Sequence, residues 1–138
     1  FLERLRTPAL QRLYAGADAL WNARARALDA RLEHEGLPVR VANLQSVWTV
    51  LYTRPSRYHW LFQYYLRLEG LALSWVGTGR LIFGLDWDEQ DFDDAAGRIV
   101  AAARAMQADG WWWTPPGLTN AGIRRGILRE LAARRWAG

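Results

Sequence analysis

The side chains able to do chemistry in this chain are few, and their inventory excludes more than it admits. All 18 basic residues are arginine and none is lysine, so the chain holds no side-chain amine for a Schiff base. With no cysteine it has no thiolate nucleophile, thiolate metal site or disulfide framework, a composition that suits a reducing compartment. His34 and His59 are the only histidines, and His34 stands between Glu33 and Glu35 on what should be a solvated helix end. Two separated histidines supply neither a metal-ligand set nor a Ser-His-Asp arrangement, so no catalytic or metal residue is expected. What remains is Arg80, at the end of Gly77-Thr78-Gly79-Arg80. A guanidinium is a planar fork of donors that matches the two oxygens of a carboxylate, whereas the plainer reading is a surface arginine on a turn. The Gly-Thr-Gly loop could present backbone amides to a phosphate, though such loops between strands are more often only turns.

The elements around Arg80 read as one unit. Leu71-Ala72-Leu73-Ser74-Trp75 and Leu81-Ile82-Phe83-Gly84-Leu85 are apolar runs flanking the glycine loop, the pattern of paired strands. Asp88 then caps a helix whose first turn is acidic, and Phe92, Ala95, Ala96, Ile99, Ala103 and Met106 recur on one face until Asp109-Gly110 ends it. Upstream, Thr7-Pro8 starts a long helix with Leu10, Leu13, Tyr14, Ala17, Leu20, Trp21, Leu28 and Leu32 as its buried stripe. Arg24, Arg26, Arg31 and Glu33 are placed for solvent, and Gly36 and Pro38 stop the helix. Gln45 to Thr53 reads as a strand apolar on both parities from Val47 onward, as suits a strand covered on both sides. Ser56 is expected to cap a further helix running from Tyr58 to Glu69 with almost no polar face, which should meet another surface.

Order and strings together resemble the C-terminal small domain of class III, pyridoxal-phosphate-dependent aminotransferases, especially their glutamate-1-semialdehyde aminomutase-like branch. The resembling residues are Gly36-Leu37-Pro38-Val39-Arg40-Val41, the strand through Val47 to Thr53, Gly70-Leu71-Ala72-Leu73 and the helix to Met106, covering roughly Leu10 to Met106. The resemblance implies an α+β fold, a small mainly antiparallel sheet with helices packed on it. It also implies pyridoxal 5'-phosphate in the intact enzyme, a homodimer, and an amino or keto acid substrate. The Schiff-base lysine and cofactor-binding residues would lie in a separate large domain, so this chain alone is not catalytically competent, and its start at Phe1 reads as a cut from something longer. On the same resemblance Arg80, twelve residues before Phe92, stands where family members hold an arginine that clamps the substrate carboxylate, and Ser46 stands where a strand begins facing the cleft. This chain departs from the family by carrying Leu81-Ile82-Phe83-Gly84 in place of a proline-containing continuation. The aminomutase branch usually has no arginine at that point.

Residues 1–110 form the family-like domain, and 111–138 a Trp-rich linker followed by a basic helix from Thr119 or Asn120. Of Trp111, Trp112 and Trp113, some should dock on the core while one reaches another domain or subunit. At 138 residues, 51% hydrophobic and 23% charged, the chain suits one modest core, and it has no apolar run long enough to span a bilayer and no signal-peptide pattern. A cytoplasmic location is the expectation. Two other classes stay open: a noncatalytic interaction or dimerisation module, and a basic nucleic-acid-binding domain, to which the +4 charge points and the core-like spacing of the aromatics does not.

Overall fold

The computed structural model describes residues 7–72 and 80–136. Its elements run α1 (Pro8–His34), β1 (Val39–Leu44), β2 (Val47–Tyr52), a 3-10 turn (His59–Leu61) continuing into α2 (Phe62–Leu68), β3 (Arg80–Ile82), α3 (Glu89–Ala108) and α4 (Asn120–Trp136). The three strands form an antiparallel sheet in the order β1-β2-β3, with helices on one side. This is the α+β class expected from the sequence.

Local rules account for the helix ends. Asp88 accepts from the Asp91 N–H at 2.8 Å while the Asp91 carboxylate accepts from the Asp88 N–H at 3.2 Å, a reciprocal box that starts α3. α1, α2 and α3 all stop at a glycine with positive φ, namely Gly36, Gly70 and Gly110. In each case the next, apolar residue (Leu37, Leu71, Trp111) sends its N–H back to Leu32, Leu66 or Met106, which satisfies a terminal carbonyl, and Leu37 and Leu71 also pack against the core there.

The centre of the core is a group of rings. Trp21 of α1 stacks on Phe83 at 5.5 Å and meets Trp48 of β2 and Phe92 of α3 edge-on at 6.1 and 6.4 Å, while Trp48 lies 5.1 Å from Phe83. The expected stripe of α3 is buried in full, and Val100 and Ala102 join it.

Several expectations are corrected. Arg24 is not at the surface but 4% exposed, its Nη2 donating to the Trp87 carbonyl at 3.1 Å and to Glu89 Oε1 at 3.0 Å. It lies over the rings of Trp21 and Phe92, so its delocalised charge rests on two π faces while Nε and Nη1 lack hydrogen-bond acceptors. Leu13 and Tyr14 are exposed, because a helix of 27 residues extends about 40 Å whereas six-residue strands extend only about 20 Å, and Leu20 is exposed because it lies beside the buried stripe of Ala17, Trp21 and Arg24. The buried face of α1 accordingly begins at Ala17. Gln45 and Ser46 are not strand residues but the two-residue turn between β1 and β2, with Gln45 at φ 51°. The run Leu81 to Leu85 is strand only through Ile82. The chain then turns at Gly84, where a Cβ would lie 2.6 Å from Asp86 and 2.8 Å from Trp87. Its expected mate is placed mostly on residues outside the described set, as is the Gly77-Thr78-Gly79 loop; the described partner of β3 is β2. Ser56 does not cap α2. Its hydroxyl accepts from the Tyr58 N–H and donates to the Trp113 carbonyl at 3.1 Å, tying this segment to the tail.

In that tail Trp112 docks on the core, donating to the Ala103 carbonyl at 2.9 Å and lying 5.4 Å from Phe62, whereas Trp113 is exposed. α4 is held by a two-pronged pair from Arg57 to Glu130 at 2.6 and 2.7 Å.

Two pairs of variants test this account by urea unfolding. Gly110→Ala, which forces a Cβ into left-handed backbone, should cost about 1 kcal/mol. Gly97→Ala, in open space within α3, should stabilise by up to about 1 kcal/mol. Glu89→Ala strips the buried Arg24 of its carboxylate and should destabilise more than Arg24→Met, which removes the charge and keeps the packing. The reverse order would mean that the guanidinium's own hydrogen bonds, and not its charge balance, hold the helix start.

Candidate functional site

Strand alternation determines which side chains reach the side of the sheet opposite the helices. On β3, Leu81 is buried and Arg80 and Ile82 are exposed; on β2, Trp48 and Val50 are buried and Val47 and Leu51 exposed. β2 is therefore central in the sheet but, among the described residues, covered on one face only, a correction to the two-sided cover that its composition implied. The register lays out the open face in rungs. Leu44, Val47 and Ile82 form one row, Ala42, Thr49 and Arg80 the next, and Arg40 faces Leu51 beyond them.

The first row is apolar and open to solvent, with Leu44 at 78%, Val47 at 42% and Ile82 at 72% exposure. Between it and Arg80 lies a shallow basin of about 280 Å³, floored by Ala42, Val47 and Thr49. Among the described residues Arg80 is the only charged one lining the basin, and no carboxylate pairs with it. Thr49 stands directly opposite Arg80 across the strand pair, and both line the basin.

Ser46 occupies the hairpin turn, half-buried, with its carbonyl accepting from the Phe83 N–H at 3.0 Å. It lies three residues along the chain from the Thr49 rung, roughly 10 Å away. The structure thus does not bring Ser46 and Arg80 together. Sequence reasoning missed Thr49, Ala42 and Leu44 as neighbours of Arg80. The signal was present in the alternation of Val47, Thr49 and Leu51, but only the register ties them to Arg80.

The fold has a counterpart among solved structures. A structure described as a transaminase with PLP bound superimposes with a TM-score of 0.61 over 78% of this chain at 18% identity. This chain spans 26% of that transaminase's length. No protein-family model matches the sequence, and no curated protein matches it. The shared feature is therefore the fold of a transaminase domain.

Two other ionisable pairs tie elements together. The Tyr65 hydroxyl donates to Asp109 at 2.6 Å, an interaction that helps push its pKa up to about 12. Arg104 holds the Glu35 carboxyl below the usual carboxylate range. Among the described residues no group of three or more His, Cys, Asp or Glu side chains could hold a metal.

His59 links the tail to the sheet. Its ring stacks on Tyr52 at 3.9 Å, with Trp112 6.4 Å away. Burial pushes the imidazole below its ordinary value, partly opposed by a backbone hydrogen bond with Arg54. The unfolded chain, with a histidine pKa near about 6.5, then binds the proton more readily than the fold does. Stability should therefore fall as pH drops from 7 through about 6 toward 5.5, above the range where carboxylates titrate. His59→Phe, which keeps a ring on Tyr52, should flatten the urea midpoint across that window; an unchanged slope would place the proton elsewhere.

Proposed function

We propose that this chain is the small domain of a pyridoxal-phosphate-dependent aminotransferase of the class III kind, where it closes the active-site cleft and positions the carboxylate of an amino or keto acid on Arg80. The observation that carries this reading is Arg80, which no carboxylate among the described residues pairs with, on the open face of a sheet whose fold is that of a transaminase domain.

The residues present do not fit as a holder of the cofactor. The chain has no lysine, and among the described residues the basin beside Arg80 offers one guanidinium, the Thr49 hydroxyl and the Asn43 amide, with no carboxylate to pair with a pyridine nitrogen. Cofactor chemistry is accordingly assigned to a large domain outside this chain, and a homodimer and cytoplasmic location go with the same reading. Within it, this chain's contribution is binding and orientation. The guanidinium engages both carboxylate oxygens, Thr49 supplies a further hydrogen bond, and the sheet fixes both relative to the reacting end of the substrate. The presence of Arg80 favours transfer between two substrates over an intramolecular amino shift, since in the aminomutase branch an arginine is usually absent there.

Arg80→Leu in the intact enzyme should raise KM for carboxylate substrates by roughly 10- to 100-fold, the loss expected for a charge-assisted hydrogen-bond pair. Arg80→Lys should recover only part of that, because an ammonium cannot reproduce the fork. Unchanged kinetics in Arg80→Leu would remove the clamp.

A further inference from the structure

We infer that the basin beside Arg80 selects monocarboxylates with an apolar tail over dicarboxylates. The inference rests on the carboxylate-clamp reading and adds to it the identity of the other end of the substrate.

The argument is one of charge and spacing on the open sheet face. Arg80 and Thr49 share a rung, so a carboxylate seated there meets a guanidinium and a hydroxyl. One step along the strands on the same face, roughly 7 Å away, the chain presents Leu44, Val47 and Ile82 in a row. That spacing is reached by an aliphatic chain of about five carbons. The second carboxylate of a dicarboxylate would reach the same row and, once a second surface covers the face, lie desolvated against three aliphatic side chains, because the Asn43 amide that also lines the basin already donates to Asn22 and to the Gln45 carbonyl. The next cation on this face, Arg40, lies on the far side of Arg80 from that row and is engaged with Glu33 at 3.6 Å. A tail of apolar carbon, in contrast, covers side chains that water otherwise surrounds. The lone cation thus sets one end of the ligand, and the aliphatic row sets the other.

The test is a series of 2-oxo acids given to the intact enzyme as amino acceptors, straight-chain monocarboxylates lengthening from pyruvate one methylene at a time, with 2-oxoglutarate as the dicarboxylate. The expected result is a kcat/KM that climbs roughly threefold to fourfold per methylene until the aliphatic row is covered, with 2-oxoglutarate below the longer monocarboxylates. Val47→Asp and, independently, Ile82→Ser should flatten that climb; both positions are exposed, so both variants should fold, which thermal unfolding checks. A preference for 2-oxoglutarate, or a climb that neither variant alters, overturns the inference. Arg80→Leu separates the two levels. If it raises KM across the series while the series is flat, only the apolar-tail class falls; if it leaves KM unchanged, the clamp itself falls.

Discussion

The structure depends on the contact of four rings, Trp21, Trp48, Phe83 and Phe92, which bring α1, β2, the residue after β3 and the first turn of α3 to one point. β3 is only three residues long, too short to set its own facing by hydrogen bonding alone. Phe83 does it instead. Buried against Trp21 and Trp48, it dictates that Leu81 also points inward and that Arg80 and Ile82 point outward. A slip of one residue would exchange the two sets and drive a guanidinium toward the rings. The backbone bond from the Phe83 N–H to the Ser46 carbonyl fixes the same register from the edge. The outward position of Arg80 is therefore a consequence of aromatic packing on the opposite face of the sheet.

Arg24 completes that packing in an unusual way. It sits at the seam of α1 and α3, with Trp21 and Phe92 beneath it and the Trp87 carbonyl and Glu89 around its one hydrogen-bonded nitrogen. Glu89 is largely exposed, so the pair is only half desolvated, and its Coulomb energy is screened at one end. Two buried nitrogens without acceptors add a cost. The return is geometric: one side chain holds the 83–88 connection to α1, and this connection leads directly from β3 into the acid box that starts α3. The loop after Arg80 is thereby anchored at both ends.

What was legible in the sequence follows the range of the interaction responsible. α3 was readable from end to end because its cap, its stripe and its terminating glycine are all local, and each obeys a rule that spans at most five residues. The ends of α1 and α2 at Gly36 and Gly70 belong to the same class. Arg24 was misread because an arginine reads as a surface residue even at the spacing of the stripe from Trp21 to Leu28, and the hydrogen-bond partners that let it be buried lie more than 60 residues away. The two-sided cover expected for β2 failed for a related reason. A strand apolar on both parities shows that both faces avoid water, but not that this chain supplies both covers. Arg80 could be singled out as a residue type at a suggestive place, yet its neighbours Thr49, Ala42 and Val47 became visible only with the register.

Electrostatics bear on how such a site can work. The five arginines and Glu130 of α4 give that helix the same +4 that the whole chain carries, so the rest of the chain is charge-balanced. The net positive charge thus resides on α4 and not on the part of the chain that carries Arg80. Alone on an exposed face, an arginine is solvated and screened, and a carboxylate paired with it gains at most about 1 kcal/mol. The apolar row of Leu44, Val47 and Ile82 alters that balance once a second surface closes over the sheet, because excluding water from an aliphatic face lowers the dielectric around the one cation beside it. On the function proposed, the open face is a half-site whose binding strength is realised only on closure. The same apolar exposure that would be a liability in a free-standing domain is then what makes a single guanidinium sufficient.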